Sequence, residues 1–178
     1  MRESMGGTWL FGIMALFIVL FSGFIAYSIT YSKAFKTKNQ IINLIEKKEG
    51  YTLSNGGTDV TNMSEDQLYS DPSTEAQAYY YIKKSGYNTD VVDCVSLGYG
   101  VYQDGGYCIQ RFCNGNNYTA ASDDGRVYYK VTTFIKVNIP VINVQVNIPI
   151  TGETKAMYYE NPAVSEHETP CYDIATGN

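Results

Sequence analysis

Four cysteines, Cys94, Cys108, Cys113 and Cys171, and a single histidine, His167, are the side chains of this sequence best suited to covalent or metal chemistry. An even number of cysteines in an exported domain reads as two disulfides, for which three pairings exist. A local Cys108–Cys113 loop would leave Cys94 to tie down the C-terminal tail through Cys171, but spacing alone does not choose among the three. The rival chemistry is zinc: Cys108, Cys113, His167 and Cys171 form C-x4-C and H-x3-C, which fall among zinc-ligand spacings. That set strands Cys94 and takes its histidine from between Glu166 and Glu168 in a polar tail. Disulfides are therefore expected, with no metal and no cofactor. Nucleophilic catalysis would have to run through His167, and no G-x-S-x-G elbow accompanies it, so no catalytic residue and no small-molecule substrate are expected.

Weaker motifs have simpler explanations. Asp123-Asp124-Gly125 lacks the other ligands of a calcium loop and reads as a turn. Leu97-Gly98-Tyr99-Gly100 precedes a hairpin, where a phosphate loop needs a helix N-terminus. Asn62-Met63-Ser64 and Asn117-Tyr118-Thr119 match the glycosylation sequon, which matters only in a eukaryotic secretory pathway.

The domain that holds the cysteines, residues 51–178, reads as α+β with an antiparallel sheet. Residues 51–73 are a Gly/Ser/Asn/Asp-rich loop with one short helical turn opened at Ser64. A helix over 74–85 follows, capped by Ser73 or Thr74 and ended by Gly86, with Ala76, Tyr79 and Tyr80 on one face. Because Tyr79, Tyr80 and Tyr81 are consecutive, at least one faces away from the core. From Val95 the period falls to two: strands over 95–102 and 107–112 flank Gln103-Asp104-Gly105-Gly106, a tight hairpin turn. Strands over 127–139 and 141–148 follow, separated by Pro140. Pro149 marks an edge or a strand end, and 154–159 forms a last strand.

Upstream, residues 4–32 carry no charge, and 8–29 (TWLFGIMALFIVLFSGFIAYSI) make a helix of about 33 Å, enough to cross a hydrocarbon core of about 30 Å. Trp9 and the pair Tyr27 and Tyr31 stand near its two ends, at the headgroup level. A cleaved signal sequence ending at Ala26-Tyr27-Ser28 is the alternative, but the apolar run is longer than an h-region of about 7–15 residues. Residues 30–50 continue as an amphipathic stem. Ala34, Phe35, Ile41, Ile42, Leu44 and Ile45 lie on the apolar side, Lys36, Lys38, Asn39, Glu46 and Lys47 fill the rest, and Gly50 is the stop. The expected fold is thus a long transmembrane and stem helix whose apolar stripe covers one face of the sheet.

The formal charge is -5, made of +4 in residues 1–48 and -9 beyond, which excludes a reader of phosphate backbones. Lys33, Lys36, Lys38, Lys47 and Lys48 favour a cytoplasmic domain by the positive-inside rule. The cysteines and tyrosines favour an extracellular one, and long domains cross membranes despite flanking charge. The reading adopted is a single-pass protein of the cell membrane with its C-terminal domain outside.

Several of these features together resemble the TadE-like pseudopilins, minor subunits of the tight-adherence (Tad/Flp) branch of type IV pili. They are Gly6-Gly7 before the apolar helix, the basic continuation 31–39 (YSKAFKTKN), Val137-Asn138-Ile139-Pro140, and Ile150-Thr151-Gly152-Glu153-Thr154. The likeness covers residues 1–48 best and 134–157 in part. It implies a pilin-like fold, a short leader of residues 1–7 cut between Gly7 and Thr8, with the Gly6–Gly7 bond as the alternative, and partners among pilin-like subunits or pilus assembly proteins besides the lipid bilayer. Major pilins carry Glu at the fifth mature position, where cleavage after Gly7 leaves Gly12. The resemblance therefore implies an assembly factor or tip component rather than the main fibre subunit. The other function considered is a membrane-tethered extracellular domain for ligand binding or adhesion.

Overall fold

A computed structural model describes residues 2–54, 59–87, 92–113, 126–139 and 144–158. Asp123-Asp124-Gly125, Pro140, Asn117, His167 and Cys171 fall outside the described residues, and Cys113 is described for its backbone alone.

The chain opens with α1 (Arg2–Lys48), one helix of 47 residues and hence about 70 Å, which includes residues 2–7 as well as the apolar run and the stem. Its end departs from the expected glycine stop. Glu49 takes the left-handed conformation (φ 56°) and the Gly50 amide donates to the Ile45 carbonyl at 3.1 Å, the six-to-one bond of a Schellman cap. Gly50 is instead where the chain passes under a tyrosine: a Cβ there would lie 3.7 Å from Tyr129 Oη.

A 3-10 turn (Val60–Asn62) capped by Asp59 precedes α2 (Glu65–Ser70), opened by a reciprocal capping box between Ser64 and Gln67. Next comes α3 (Thr74–Ser85), with Ser73 as N-cap and Gly86 left-handed at φ 65°. The residues that predicted these two helices are the ones that cap them.

The sheet is antiparallel, in the order β1 (Val101–Gln103), β2 (Tyr107–Cys113), β3 (Arg126–Ile139) and β4 (Val144–Glu153), with β5 (Met157–Tyr158) pairing the start of β3. The strand expected from Val95 begins only at Val101. Residues 93–99 coil instead, because Asp93 accepts from the Ser96 amide at 3.2 Å and the Tyr99 amide donates to the Cys94 carbonyl at 2.8 Å. The apolar alternation of Val95 and Leu97 therefore leads nowhere, and both are exposed. Pro149 sits within β4 opposite Phe134, tolerated because β4 is an edge.

One face of the sheet is covered by the stem and α3. Ala34, Ile41 and Ile45 bury themselves with Ala78, Ile82, Tyr107, Ile109, Tyr129, Val131 and Ile135. The stem face differs from the expected stripe in two places. Phe35 is 40% exposed, whereas Lys38 is buried, its Nζ 4.6 Å from the Phe35 ring centroid and donating to the Thr151 carbonyl at 3.4 Å. The long aliphatic part of Lys38 covers the sheet and only its ammonium needs a partner. A smaller cluster of Val92, Cys94, Cys108 and Phe134 covers part of the opposite face. Architecturally the molecule is α+β, a long N-terminal helix packed on an antiparallel sheet.

Candidate functional site

Among the described residues, two surfaces and one covalent link are the candidates for function. The link is Cys94–Cys108, with Cα atoms 5.8 Å apart and closing a 14-residue separation. It clips the 93–99 coil onto β2, takes up the Cys94 expected to tie down the tail through Cys171, and overturns two further alternatives raised by spacing. A Cys108–Cys113 loop is excluded because the two lie on one extended strand, about 17 Å apart along it, far beyond disulfide reach. A zinc site using Cys108 is excluded because its sulfur is already bonded. Among the described residues no group of His, Cys, Asp and Glu converges to hold a metal.

The first surface is the amino-terminal half of α1. Every side chain from Gly7 to Ile29 is exposed, Trp9 and Phe11 to about three-quarters of their area, and this stretch is long and apolar enough to cross a membrane. Three hydroxyls in and just beyond this stretch are satisfied within the helix: Ser22, Ser28 and Thr30 donate to the carbonyls of Val19, Phe24 and Ala26 at 2.8–2.9 Å. That is the arrangement a lipid solvent requires. Projected at 100° per residue, Gly12, Ala15, Ser22, Gly23 and Ala26 fall in one arc of about 100°. Nothing lies within 4 Å of a Cβ built on Gly12 or Gly23. Where the helix leaves its apolar run, Tyr27, Tyr31 and Phe35 stack in sequence, with ring centroids 6.3 and 6.1 Å apart. Gly7 and Thr8, the expected cleavage pair, sit in the helical backbone of this same rod.

The second surface is an open groove of about 690 Å³ between the end of α3 and the β1–β2 turn, lined by Thr61, Tyr79, Lys83, Tyr87, Tyr102 and Asp104. Tyr87 is fully engaged: its hydroxyl accepts from the Phe134 amide at 2.9 Å and donates to the Gly106 carbonyl at 3.0 Å. Tyr79 and Tyr102 are only half buried. At the rim two acids meet. Asp59 accepts from the amide and hydroxyl of Thr61 at 2.9 and 2.6 Å, which hold its carboxyl below the ordinary value. Burial, and then the negative Asp59 beside it, push the Asp104 carboxyl up. Glu75 is also pushed up by burial, although it accepts from the Ser54 amide at 2.8 Å. The groove and its acidic rim were invisible in sequence, since residues 59, 79 and 104 have no local pattern to join them. Gly98 and Gly100, weighed as a phosphate loop, serve geometry instead. Both have positive φ, and a Cβ on Gly100 would fall 2.2 Å from the Ile109 carbonyl oxygen.

Stem and domain are locked together near the chain's turn out of α1. Tyr51 is completely buried, its hydroxyl 2.7 Å from that of Tyr107 and donating to Gln103 Oε1 at 3.0 Å. Lys48 donates to the Pro72 carbonyl, the Lys155 amide to Glu46 at 2.9 Å, and Thr133 to the Ala34 carbonyl at 3.2 Å. The stem lysines and acids that sequence reads as a solvated face are in part these ties. No known protein family, characterised protein or solved structure matches this chain.

Proposed function

We propose that this chain is a non-catalytic, membrane-anchored, pilin-like subunit of the TadE-like kind, with an extracellular head. It takes part in the assembly or structure of a type IV pilus of the Tad/Flp branch. The observation that carries the reading is the division of labour within α1: a single unbroken helix whose first half is bare and apolar and whose second half is buried on the head's sheet. A tether alone needs no such rigidity, because a flexible linker after the span would hold a domain equally well. A rod continuous with the head transmits position from the membrane to the head, which suits a subunit that packs beside others. The one-sided small residues allow close approach of a second apolar helix. The disulfide suits an oxidising compartment.

Photocrosslinkers placed singly at Gly12, Ala15, Ser22 and Gly23, and at Phe17 on another side of the helix, test it in the native host. The reading expects capture of pilus-system subunits from the small-residue side. Capture of none from any position contradicts it.

The tyrosine-lined groove favours a second reading, a membrane-tethered domain for ligand binding or adhesion. It expects residues 30–178, which keep the stem that completes the core, to bind the target without the span.

A further inference from the structure

The hairpin of β3 and β4 runs past the head. Tyr129 lies over Gly50 at the far end of the stem, whereas Thr133 bonds the Ala34 carbonyl, so β3 is antiparallel to α1 and heads back toward the apolar span. From Thr133 to Ile139 is six residues, about 20 Å of extended chain; even inclined by half a right angle it gains about 14 Å along the helix. From Ala34 back to Ile29, where the span ends, is only about 7.5 Å. The paired ends of β3 and β4, with Val137 opposite Val146 and Ile139 opposite Val144, therefore pass the level at which the span begins.

The composition fits that depth. Residues 137–152 contain no charged side chain, although the domain as a whole is acidic. Ile148, on the outer strand and opposite the buried Ile135, is 38% exposed. On the helix at the same level stand Tyr27 and Tyr31, aromatic residues of the kind that mark a membrane–water boundary. Depth is limited from below. β4 is an edge strand, and its outward backbone groups would be unsatisfied in hydrocarbon, while headgroups and interfacial water can bond them.

We propose that the span-proximal end of the β3–β4 hairpin rests in the headgroup layer of the leaflet from which α1 emerges, giving the head a second foot beside its helix. The proposal rests on residues 8–29 crossing the bilayer and needs neither the pilus reading nor a particular orientation.

Tryptophan quenching by phosphatidylcholine vesicles carrying a nitroxide on the headgroup tests it with the full chain. Native Trp9 reports whether the span is in the bilayer. In a Trp9→Phe background, Val146→Trp and Asn147→Trp report on the hairpin, and Tyr69→Trp is the reference, since Tyr69 is exposed on α2, three residues before the Pro72 that meets Lys48 at the end of the stem away from the span. Retention of the Cys94–Cys108 bond checks folding. The proposal expects at least one hairpin tryptophan to be quenched several-fold more strongly than Tyr69→Trp. Hairpin tryptophans no more quenched than Tyr69→Trp, with Trp9 quenched, overturn it. A blue-shifted but unquenched hairpin tryptophan overturns it as well, in favour of a second copy covering the hairpin. An unquenched Trp9 removes the span on which it rests.

Discussion

Gly100 and the Cys94–Cys108 bond show how single residues hold the β1–β2 region in place. Gly100→Ala would put a Cβ within 2.2 Å of a backbone oxygen at positive φ, so we expect a loss of about 2 kcal/mol or more, read from urea denaturation. Cys94→Ser with Cys108→Ser releases a loop whose closure is worth about 3 kcal/mol, and the same measurement should show a loss of that order. Asp104 supplies a pH test. Its folded value is raised, by burial and by Asp59, so the stability it contributes is present below the ordinary carboxylate value and is lost as pH rises through its folded value. Asp104→Asn should therefore gain stability relative to the parent between about pH 4 and neutrality. A variant that runs parallel to the parent across that window would show that neither burial nor Asp59 raises the Asp104 carboxyl. The cysteines were legible in sequence as disulfide formers, but their pairing and the acidic pair were not: Asp59 and Asp104 lie 45 residues apart and meet only after β1 and the 3-10 turn have folded.

At the scale of elements, legibility followed local chemistry. Ser64 opens α2, and Ser73, one of the two caps expected, and Gly86 bound α3, because a cap is decided by bonds within a few residues. β3 emerged from its long alternation. The failures arose where a distant contact overruled a local pattern. Val95 and Leu97 alternate like a strand, but Asp93 and the disulfide coil their segment. Gly50 looked like the helix stop, but Glu49 takes the left-handed position and Gly50 lies beneath Tyr129. Lys38 looked solvent-facing, yet the sheet recruited it in place of Phe35. The stem's contribution follows from this packing. Ile41→Ala and Ile45→Ala should each cost about 2–5 kcal/mol, because each leaves a cavity against the sheet. Phe35→Ala should cost clearly less, since much of its ring is already exposed. Equal losses at all three positions in a denaturation series would mean that the stem docks through a different face.

For the molecule as a whole, the basic, apolar rod and the acidic, tyrosine-rich head are one mechanical object. The head's core is incomplete without residues 34–45, and the rod's exit is pinned by Tyr51, Tyr107 and Gln103. Proteolytic or genetic removal of the stem should leave an unfolded head, whereas removal of residues 1–29 should leave it folded. The whole-molecule account depends on the joint between lipid and head, residues 27–38, being helix with no hinge. Hydrogen–deuterium exchange on the full chain in lipid nanodiscs measures that joint directly. Amides of 30–36 protected to the same degree as those of 40–45 are the predicted result. Fast exchange confined to residues 30–34, flanked by protected amides on both sides, would contradict the account.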